Sequence, residues 1–534
     1  MATAKPIVNP DPIELFGLGN VGLIQDLKPH LLVPEAFSDA RNVRFNTDGV
    51  ERAQDFSQVF GTLSGVPEFI FNVPAPAGNF WLYASLTKIY AYDGSNSTNI
   101  TRQSAGVDVN YTVPAGQGRD WQGTILGNIP VLNNGTDVPQ YWTGLSVANK
   151  MADLTAWPST LRAKIIRAAG PYLAAFNLTD TGVTLSKSFQ WSSFADPGTV
   201  PASWDYTDPT VDAGRLQLTD SKGGEILEAL LLGNLMIVYT SDSTHAIRYI
   251  GGTDIFAPNL LLTESGILAK RCATNFNKGT AQLVMTADDI IIHSGTQTAS
   301  SIVEDKLRRT LFGEIDTQNY INSFVVENTV KKEVWCCYPT RGNTYPDKAL
   351  VWNYKNNTCS FKDVALNSAD TGASYDADST TWAADTGTWD DGSADPWNKE
   401  VRNVVVGVSR ATSQALQFDA TYTSGSAYIE RIGLSIDGKD RQGQPKASTK
   451  SVKQITRMWI KAVGTAVLTV KLASQELIDG PVTWSDPQLF DCSVDEWLDI
   501  ITVGKLIGYR IESSSADPWK IEGVAFDMHV LSQL

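Results

Sequence analysis

Leu235-Met-Ile-Val-Tyr239, with Ile247-Arg-Tyr249 and the turn Gly251-Gly252 after it, is the stretch that best shows how this chain folds. An apolar run, a polar break and a second run that ends in an aromatic residue before a turn are typical of paired antiparallel strands. The layout recurs along the chain, and the residue that closes the second run marks seven copies: Tyr92, Trp142, Trp191, Tyr249, His293, Trp352 and Phe418.

The spacing of these marks favours a β-propeller. The first marks are about 50 residues apart, close to the roughly 40–50 residues of a four-stranded blade, whereas the wider gaps later in the chain require insertions. No blade signature such as Trp-Asp or a kelch double glycine recurs, and a multi-sheet sandwich gives similar spacing. We therefore predict a mostly-β chain whose central part is an irregular, β-propeller-like repeat domain.

Two changes of pattern divide the chain into domains. Beyond residue 425, runs such as Thr456–Lys461 and Val524–Val530 alternate strictly between apolar and polar residues, which is typical of a half-buried antiparallel sheet. The stretch 368–399 is rich in Asp, Thr, Ala and Gly and lacks aliphatic residues for a core, so we predict a surface insertion loop there. The predicted domains are an N-terminal extended arm with a β-hairpin (1–62), the repeat domain (63–425) and an antiparallel, β-sandwich-like C-terminal domain (426–534).

The composition argues against several classes of function. The chain has 58 Asp and Glu against 43 Lys and Arg, a formal net charge of −15, and an acidic surface repels nucleic-acid phosphates. The five cysteines lack metal-ligand spacing, so we predict reduced, buried thiols of a protein made in a cytoplasm, with Cys336 and Cys337 on opposite sides of one strand. No signal-peptide pattern and no run of the roughly 20 apolar residues of a membrane helix is found, so we predict no membrane insertion.

The strongest local signal lies near the start of the chain. Asp39-Ala-Arg-Asn-Val-Arg-Phe45 is followed by the turn Thr47-Asp48-Gly49 and by Val50-Glu-Arg-Ala53. Asp-Gly between two alternating runs predicts a β-hairpin. In a single continuous strand, Arg41, Val43 and Phe45 would share one face. Arg41 and Arg44 are predicted to form ion pairs or hydrogen bonds inside an ordered arm.

This run resembles the N-terminal part of the tail nozzle proteins (also called tail tubular or tail hub proteins) of short-tailed bacteriophages. Weaker similarity to the same family extends over much of the chain, for example at Tyr249–Phe256, Asp288–Gly295 and Leu307–Phe312, and Phe37 stands where Trp is common in the family. The residues that carry the family motif are Asp39, Arg41, Asn42, Val43, Arg44, Phe45, Asp48 and Gly49.

The resemblance implies a structural protein of the virion tail, assembled in the host cytoplasm. Its subunits would form a homo-oligomeric ring, usually of six copies, below the portal and the adaptor. Such a ring extends the DNA ejection channel and anchors fibres or spikes. The acidic charge fits a channel through which DNA passes without tight binding.

Motifs for catalysis are not found in the sequence. The four histidines lie far apart, with no His-x-x-x-His pair and no Gly-x-Ser-x-Gly elbow. Gly17-Leu-Gly-Asn-Val-Gly22 matches a dinucleotide-binding pattern, but no predicted strand precedes it and no helix follows. We predict no catalytic residues, no metal site, no cofactor and no enzymatic activity.

The alternative prediction is a carbohydrate-binding propeller that acts as a receptor-binding tail protein. Its candidate partner or glycan contacts are Trp382, Trp389 and Trp397 in the predicted insertion loop. Tryptophan faces stack on sugars, but tryptophan also anchors protein cores and interfaces.

Overall fold

The computed structural model describes residues 12–75, 78–219, 224–252, 255–374, 402–439 and 445–533. These residues are almost entirely β-structure, with one α-helix, α1 (Arg308–Glu314), and 3-10 helices at Pro29–Leu31, Gly118–Asp120 and Tyr320–Asn322. None of the helices in this part of the chain is long and apolar enough to cross a membrane.

The N-terminal segment contributes five short strands that join three different sheets. Two of them form the predicted hairpin, because Val43 pairs with Arg52 and Asn46 with Gly49 around a two-residue turn. The strands are β1 (Ile13–Phe16), β2 (Asp39–Arg41), β3 (Val43–Asn46), β4 (Gly49–Arg52) and β5 (Asp55–Val59).

The first four blades of a propeller follow, each a four-stranded antiparallel sheet. A small hairpin, β10 (Gln103–Ser104) and β11 (Val107–Asp108), lies between the first two. The blade strands are β6 (Phe69–Ala75), β7 (Gly78–Ala84), β8 (Ile89–Tyr92) and β9 (Ser97–Asn99); β12 (Gln122–Leu126), β13 (Ile129–Asn133), β14 (Gln140–Tyr141) and β15 (Ala152–Asp153); β16 (Leu161–Ala169), β17 (Tyr172–Asp180), β18 (Val183–Trp191) and β19 (Gly214–Gln217); β20 (Ile226–Leu232), β21 (Leu235–Thr240), β22 (Thr244–Tyr249) and β23 (Phe256–Leu262).

Three further blades complete the ring. The innermost strands β6, β12, β16 and β20 contact one another in order, and the contacts continue through the remaining blades back to β6. The other strands are β24 (Ala273–Phe276), β25 (Ala281–Met285), β26 (Ile290–His293) and β27 (Ser300–Ser301); β28 (Phe324–Asn328), β29 (Glu333–Tyr338), β30 (Lys348–Asn353) and β31 (Thr358–Asp363); β32 (Ser368–Ser374), β33 (Arg402–Ser409) and β34 (Gln414–Thr421).

The repeat predicted from the sequence is therefore a β-propeller. Six blades are separate four-stranded sheets, and the strands β28 to β31 form a seventh blade within a larger, ten-stranded sheet. Every one of the seven sequence marks lies on the third strand of its blade or directly after it. Five of the marks are buried, whereas Tyr92 is half-buried and Tyr249 is exposed. The marks recur because most blades bury a large side chain at this point against a neighbouring sheet.

The last blade is closed by the N-terminal segment. β5 pairs antiparallel with β34, with Leu416 opposite Gln58, and so supplies the fourth strand. The boundary predicted between the arm (1–62) and the repeat domain (63–425) differs from this arrangement, because β5 of the arm is a strand of the propeller. The predicted loop 368–399 also differs at its start: Ser368–Ser374 is the innermost strand of the last blade, and residues 375–399 lie outside the described ranges.

The C-terminal residues form the predicted sandwich together with the arm. One sheet contains β1, β3, β4, β38, β42, β43 and β45, and the other is the ten-stranded sheet, in which β2, β35, β44, β39, β40 and β41 continue from the outer edge of β31. Apolar side chains of both sheets pack in one core. The strands are β35 (Ala427–Leu434), β36 (Ile436–Lys439), β37 (Pro445–Ala447), β38 (Ser451–Gly464), β39 (Val467–Gln475), β40 (Thr483–Trp484), β41 (Gln488–Asp491), β42 (Trp497–Leu498), β43 (Thr502–Gly504), β44 (Leu506–Ser513) and β45 (Trp519–Gln533).

The predicted burial of the cysteines holds for most of them. Four of them are buried, Cys492 is half-buried, and none of the five forms a disulfide. The neighbours Cys336 and Cys337 belong to different hydrophobic clusters on the two sides of β29.

His293, one of the seven marks, is buried in a neutral hydrogen-bonded chain. The Gly295 N–H donates to its Nδ1 over 3.2 Å, so the proton is on Nε2, which lies 2.7 Å from the Tyr239 hydroxyl. Tyr239 in turn donates to Gln282. Burial lowers the pKa of His293 to about 4, because a charged imidazolium is poorly solvated there.

Stability should therefore fall as the pH is lowered from about 6.5 to 4. The unfolded chain binds a proton at His293 in this range while the folded chain does not, which costs on the order of 3 kcal/mol at the acid end. Replacing His293 with Gln should flatten this part of the profile of unfolding free energy against pH. His30→Gln is the matched control, and identical slopes for the two variants would contradict the prediction.

Candidate functional site

The family-motif residues form a clamp between the propeller and the sandwich, which we call the arm clamp (residues 39–52). Its centre is Asn42, which has a positive φ of 57° and separates β2 from β3. The Asn42 amide donates to Asp363 Oδ2 (2.8 Å) and to the Ser426 carbonyl (2.7 Å), and it accepts from the Asp363 N–H. Arg41 Nε donates to the same carboxylate over 2.6 Å.

The kink at Asn42 corrects one prediction. The sequence pattern predicts a single strand in which Arg41 and Val43 share a face. Instead, the left-handed backbone turns the chain from the ten-stranded sheet into the other sheet of the sandwich. Asparagine tolerates this conformation better than most residues do.

Arg44 is the buried part of the clamp. Its guanidinium forms a bidentate ion pair with Glu333 on β29, with Nη2 to Oε2 at 3.0 Å, and Nη2 also donates to Asp419 Oδ1 at 2.8 Å. Burial raises the pKa of Glu333 in spite of the attraction of Arg44. Burial opposes the charge of Arg44 as well, but the two carboxylates outweigh it and raise the arginine pKa. The predicted role of Arg41 and Arg44 in ion pairing is thus confirmed.

The other motif residues position the hairpin. Asp39 accepts hydrogen bonds from Gln25 (3.0 Å) and the Tyr428 hydroxyl (2.9 Å). Val43 and Phe45 are buried in the sandwich core. At Gly49 the two backbones lie so close that a Cβ there would be 2.3 Å from the Ile521 carbonyl oxygen. Asp48 forms an ion pair with Lys520.

The three candidate glycan contacts, Trp382, Trp389 and Trp397, all lie outside the described residues.

A second feature is a cavity of about 840 Å³ at one end of the propeller axis, which we call the axial cavity. Its walls come mainly from the loops that precede innermost strands and from loops between second and third strands, so they belong to several blades. Helix α1 contributes Phe312 to one side. The apolar wall is formed by Leu227, Ile267, Phe312, Ile315 and Ile321.

Charged side chains also line the axial cavity. Lys164 forms an ion pair with Glu225 at 2.8 Å. Lys270 lies 3.4 Å from Asp120 Oδ1 and donates to the Lys164 carbonyl at 3.0 Å. Burial lowers the pKa of Lys270.

Two arginines at this end of the axis, Arg119 and Arg271, have no carboxylate partner among the described residues. The Arg119 guanidinium donates to the Gly116 carbonyl. Arg271 lies between the lining residue Lys270 and strand β24. Its Nη2 donates to the carbonyl of Asn367, just before β32, over a long distance of 3.4 Å. Its Nε and Nη1 atoms are buried and have no hydrogen-bond partner in the described residues. Its backbone is left-handed, with φ 65°.

No pattern in the sequence points to the axial cavity. Its residues come from several blades and are separated by tens of positions, so no local spacing relates them. The positive φ of Arg271 could not be read from the sequence either, since arginine is a rare choice there.

The outer face of the sandwich is a third feature. On the sheet that contains β1, β38, β42 and β45, Trp459 lies directly opposite Trp497, and Arg457 lies over both indole rings, 5.8 and 5.4 Å from their centroids. Phe16 and Trp497 are 58% and 46% exposed. Large exposed apolar side chains on an otherwise polar surface are typical of contact sites.

Among the described residues, no group of three or more His, Cys, Asp and Glu side chains is placed to hold a metal ion.

Comparisons with known proteins give similarity of fold only. No family model matches the sequence, and no curated protein matches it. Among solved structures, the β-propeller domain of Cps50 (Swd1) from Myceliophteria thermophila is 9% identical, and the match covers 68% of this chain and 100% of that one with a TM-score of 0.40. The extracellular domain of a hybrid two-component system protein from B. thetaiotaomicron is 10% identical with a TM-score of 0.38, over 74% of this chain and 49% of that one.

Proposed function

We propose that the chain is a structural subunit of the tail nozzle of a short-tailed bacteriophage. In this role, identical subunits form a ring, six in the expected case, that extends the DNA ejection channel below the portal and adaptor and anchors fibres or spikes. The subunit is assembled in the host cytoplasm, resides in the virion tail, and acts through its shape rather than through catalysis.

The observation that carries the proposal is the arm clamp. The residues that resemble the family motif are those that hold the propeller and the sandwich together, with Arg44 bound to Glu333 and Asp419 of the propeller and Val43 in the core of the sandwich. A channel segment has to keep its parts in fixed relative positions while DNA passes. An arm clamp that joins the two domains supports such a role.

The outer face of the sandwich supports a contact between subunits. Tryptophan and arginine are enriched at the energetic centres of protein interfaces, and Arg457, Trp459 and Trp497 lie together on this face. The exposed Phe16 extends the same face.

Native mass measurement and particle imaging test the ring. We expect a closed oligomer, either for the purified chain or after the adaptor is added. Trp459→Ser combined with Trp497→Ser should weaken assembly, since loss of one interface hot spot costs about 2 kcal/mol or more. Trp484→Ser, on the other sheet, is the control. A chain that stays monomeric with and without the adaptor, and is absent from phage tails, would contradict the proposal.

The acidic charge gives a separate expectation for DNA. With a net charge of −15, the assembled protein should show negligible affinity for duplex DNA at moderate salt, because few phosphates would be neutralised. Electrophoretic mobility shift at several salt concentrations measures this. Tight binding whose affinity falls steeply with salt would argue against passage of DNA through the ring.

A further inference from the structure

The outer face of the ten-stranded sheet, which points away from the core of the sandwich, is polar. Opposite residues on paired strands point to the same side of a sheet, and the core side takes the alternate positions, such as Ile429 and Ile511. The outer face therefore carries two rows of side chains across β2, β35, β44 and β39. One row is Asp39, Glu430, Arg510 and Lys471, and the other is Arg41, Tyr428, Glu512 and Thr469.

Two cavities lie on this face, and we call them together the sheet groove. One, of about 360 Å³, is lined by Lys471, Trp484, Ser485, Arg510 and Glu512. The other, of about 380 Å³, is lined by residues that include Asp39, Arg41 and Tyr428 together with Glu314 of α1 and Lys348 of β30. The Arg510 guanidinium lies 4.0 Å from the centroid of the Tyr428 ring, so the linings of the two cavities touch. Because neighbouring strands are about 4.8 Å apart, a groove that crosses from β2 to β40 is roughly 20 Å long.

The charges of the sheet groove are compensated within it. Each of the four cations that line the two cavities has a carboxylate partner, and the pairs are Lys471–Glu512 (3.3 Å), Arg510–Glu512 (2.8 Å), Lys348–Glu314 (2.7 Å) and Arg41–Asp363 (2.5 Å). These groups are still open to solvent in part, with the Arg510 and Glu512 side chains 26% and 25% exposed. Such a groove has little net attraction for an ion, but it offers donors and acceptors to a neutral polar ligand.

We propose that the sheet groove binds a neutral oligosaccharide. Sugar hydroxyls both donate and accept hydrogen bonds, and the forked guanidinium of Arg510 and the carboxylate of Glu512 present donors and acceptors side by side. The half-buried indole of Trp484 at one end offers an apolar face on which a sugar ring can stack. Arg510 is already held by Tyr428, by Glu430 (3.1 Å) and by Glu512, so little ordering is needed when a ligand binds.

The length, the charge and the position of the sheet groove favour this class of ligand. A groove that crosses five strands has room for several sugar units in a row rather than for one. An acidic glycan would be repelled by the net charge of −15. Extended peptides commonly add to the edge of a sheet through backbone hydrogen bonds, whereas the sheet groove lies on the face of the sheet.

An array of neutral and acidic oligosaccharides, from monosaccharides to hexasaccharides, tests the sheet groove with the full chain. Calorimetric titration with the neutral oligosaccharide that binds best then measures its affinity. We expect neutral oligosaccharides to bind, and to bind more tightly as they become longer. Trp484→Ser and Arg510→Gln should each weaken binding by about tenfold, the effect of losing an aromatic contact or a charge-assisted hydrogen bond.

Tyr249→Ser and Arg248→Gln are the matched controls, because both side chains are exposed on the propeller, and they should bind like the wild type. Should Arg510→Gln fail to fold, Trp484→Ser still tests the groove.

The site does not depend on the proposed ring, since Trp459 and Trp497 belong to the other sheet of the sandwich. Trp484→Ser should therefore lose glycan affinity and still assemble, which separates a failure of this site from a failure of the ring. Three results would overturn the proposal: no neutral oligosaccharide is bound, acidic ones are preferred, or the wild type and both groove variants bind equally.

Discussion

Arg44→Met is expected to lower the free energy of unfolding by about 3–5 kcal/mol, the typical cost of removing one partner of a buried ion pair. The side chain of Arg44 is 7% exposed, and those of Glu333 and Asp419 are 1% and 8% exposed. Without the guanidinium, both carboxylates remain buried without their cation. Urea unfolding followed by circular dichroism and tryptophan fluorescence measures the loss.

The matched control is Arg41→Met in the same clamp. Arg41 forms an ion pair with Asp363, but the two side chains are 40% and 48% exposed, so the change should cost only about 0–1 kcal/mol. Adding Glu333→Gln to Arg44→Met should recover part of the lost stability, since one of the stranded charges is removed. Equal effects at Arg41 and Arg44 would show that the buried network does not stabilise the clamp.

Features with a local period could be predicted from the sequence. The seven marks, such as Trp191 and Trp352, lie at equivalent places in successive blades because each blade has the same strand order and packs against its neighbours in the same way. The hairpin around Asp48-Gly49 is predictable for a similar reason, since its turn chemistry depends on neighbouring residues only. The strict alternation of Val524–Val530 likewise predicts the half-buried sheet of the sandwich.

Features that depend on distant parts of the chain could not be predicted. The partner of β5 is β34, more than 350 positions away in the sequence. The side chains of Gln58 and Gln414 form a hydrogen bond between these two strands. The sequence predicts a loop at Ser368–Ser374 because large apolar residues are lacking there. Innermost propeller strands lie close to the axis, however, where small residues such as Gly372 fit against the Asn72 side chain. The kink at Asn42 depends on Asp363, which no local pattern connects with it.

The interlocking of the N-terminal segment predicts the result of splitting the chain. A protein that begins at residue 63 lacks β5, the closing strand of the last blade, and β1, β3 and β4 of the sandwich. It should be aggregated or only partly folded when expressed alone, because a propeller blade and a sandwich core are both left open. Co-expression of residues 1–62 as a separate chain should restore a soluble complex, since the split falls in an exposed stretch at Gly61 and Thr62.

A variant of the short fragment makes the test specific. Gly49→Val places a Cβ 2.3 Å from the Ile521 carbonyl oxygen, where backbone atoms cannot move aside, and should prevent rescue. Gly61→Asn is the control: no atom lies within 4 Å of the place its Cβ would take, and asparagine tolerates the positive φ of this position, so it should still permit rescue. Size-exclusion chromatography of the co-expressed fragments measures the outcome. If the chain from residue 63 were soluble and cooperatively folded by itself, the arm would be an independent attachment, and the arm clamp would lose its place as the main support for the proposed nozzle role.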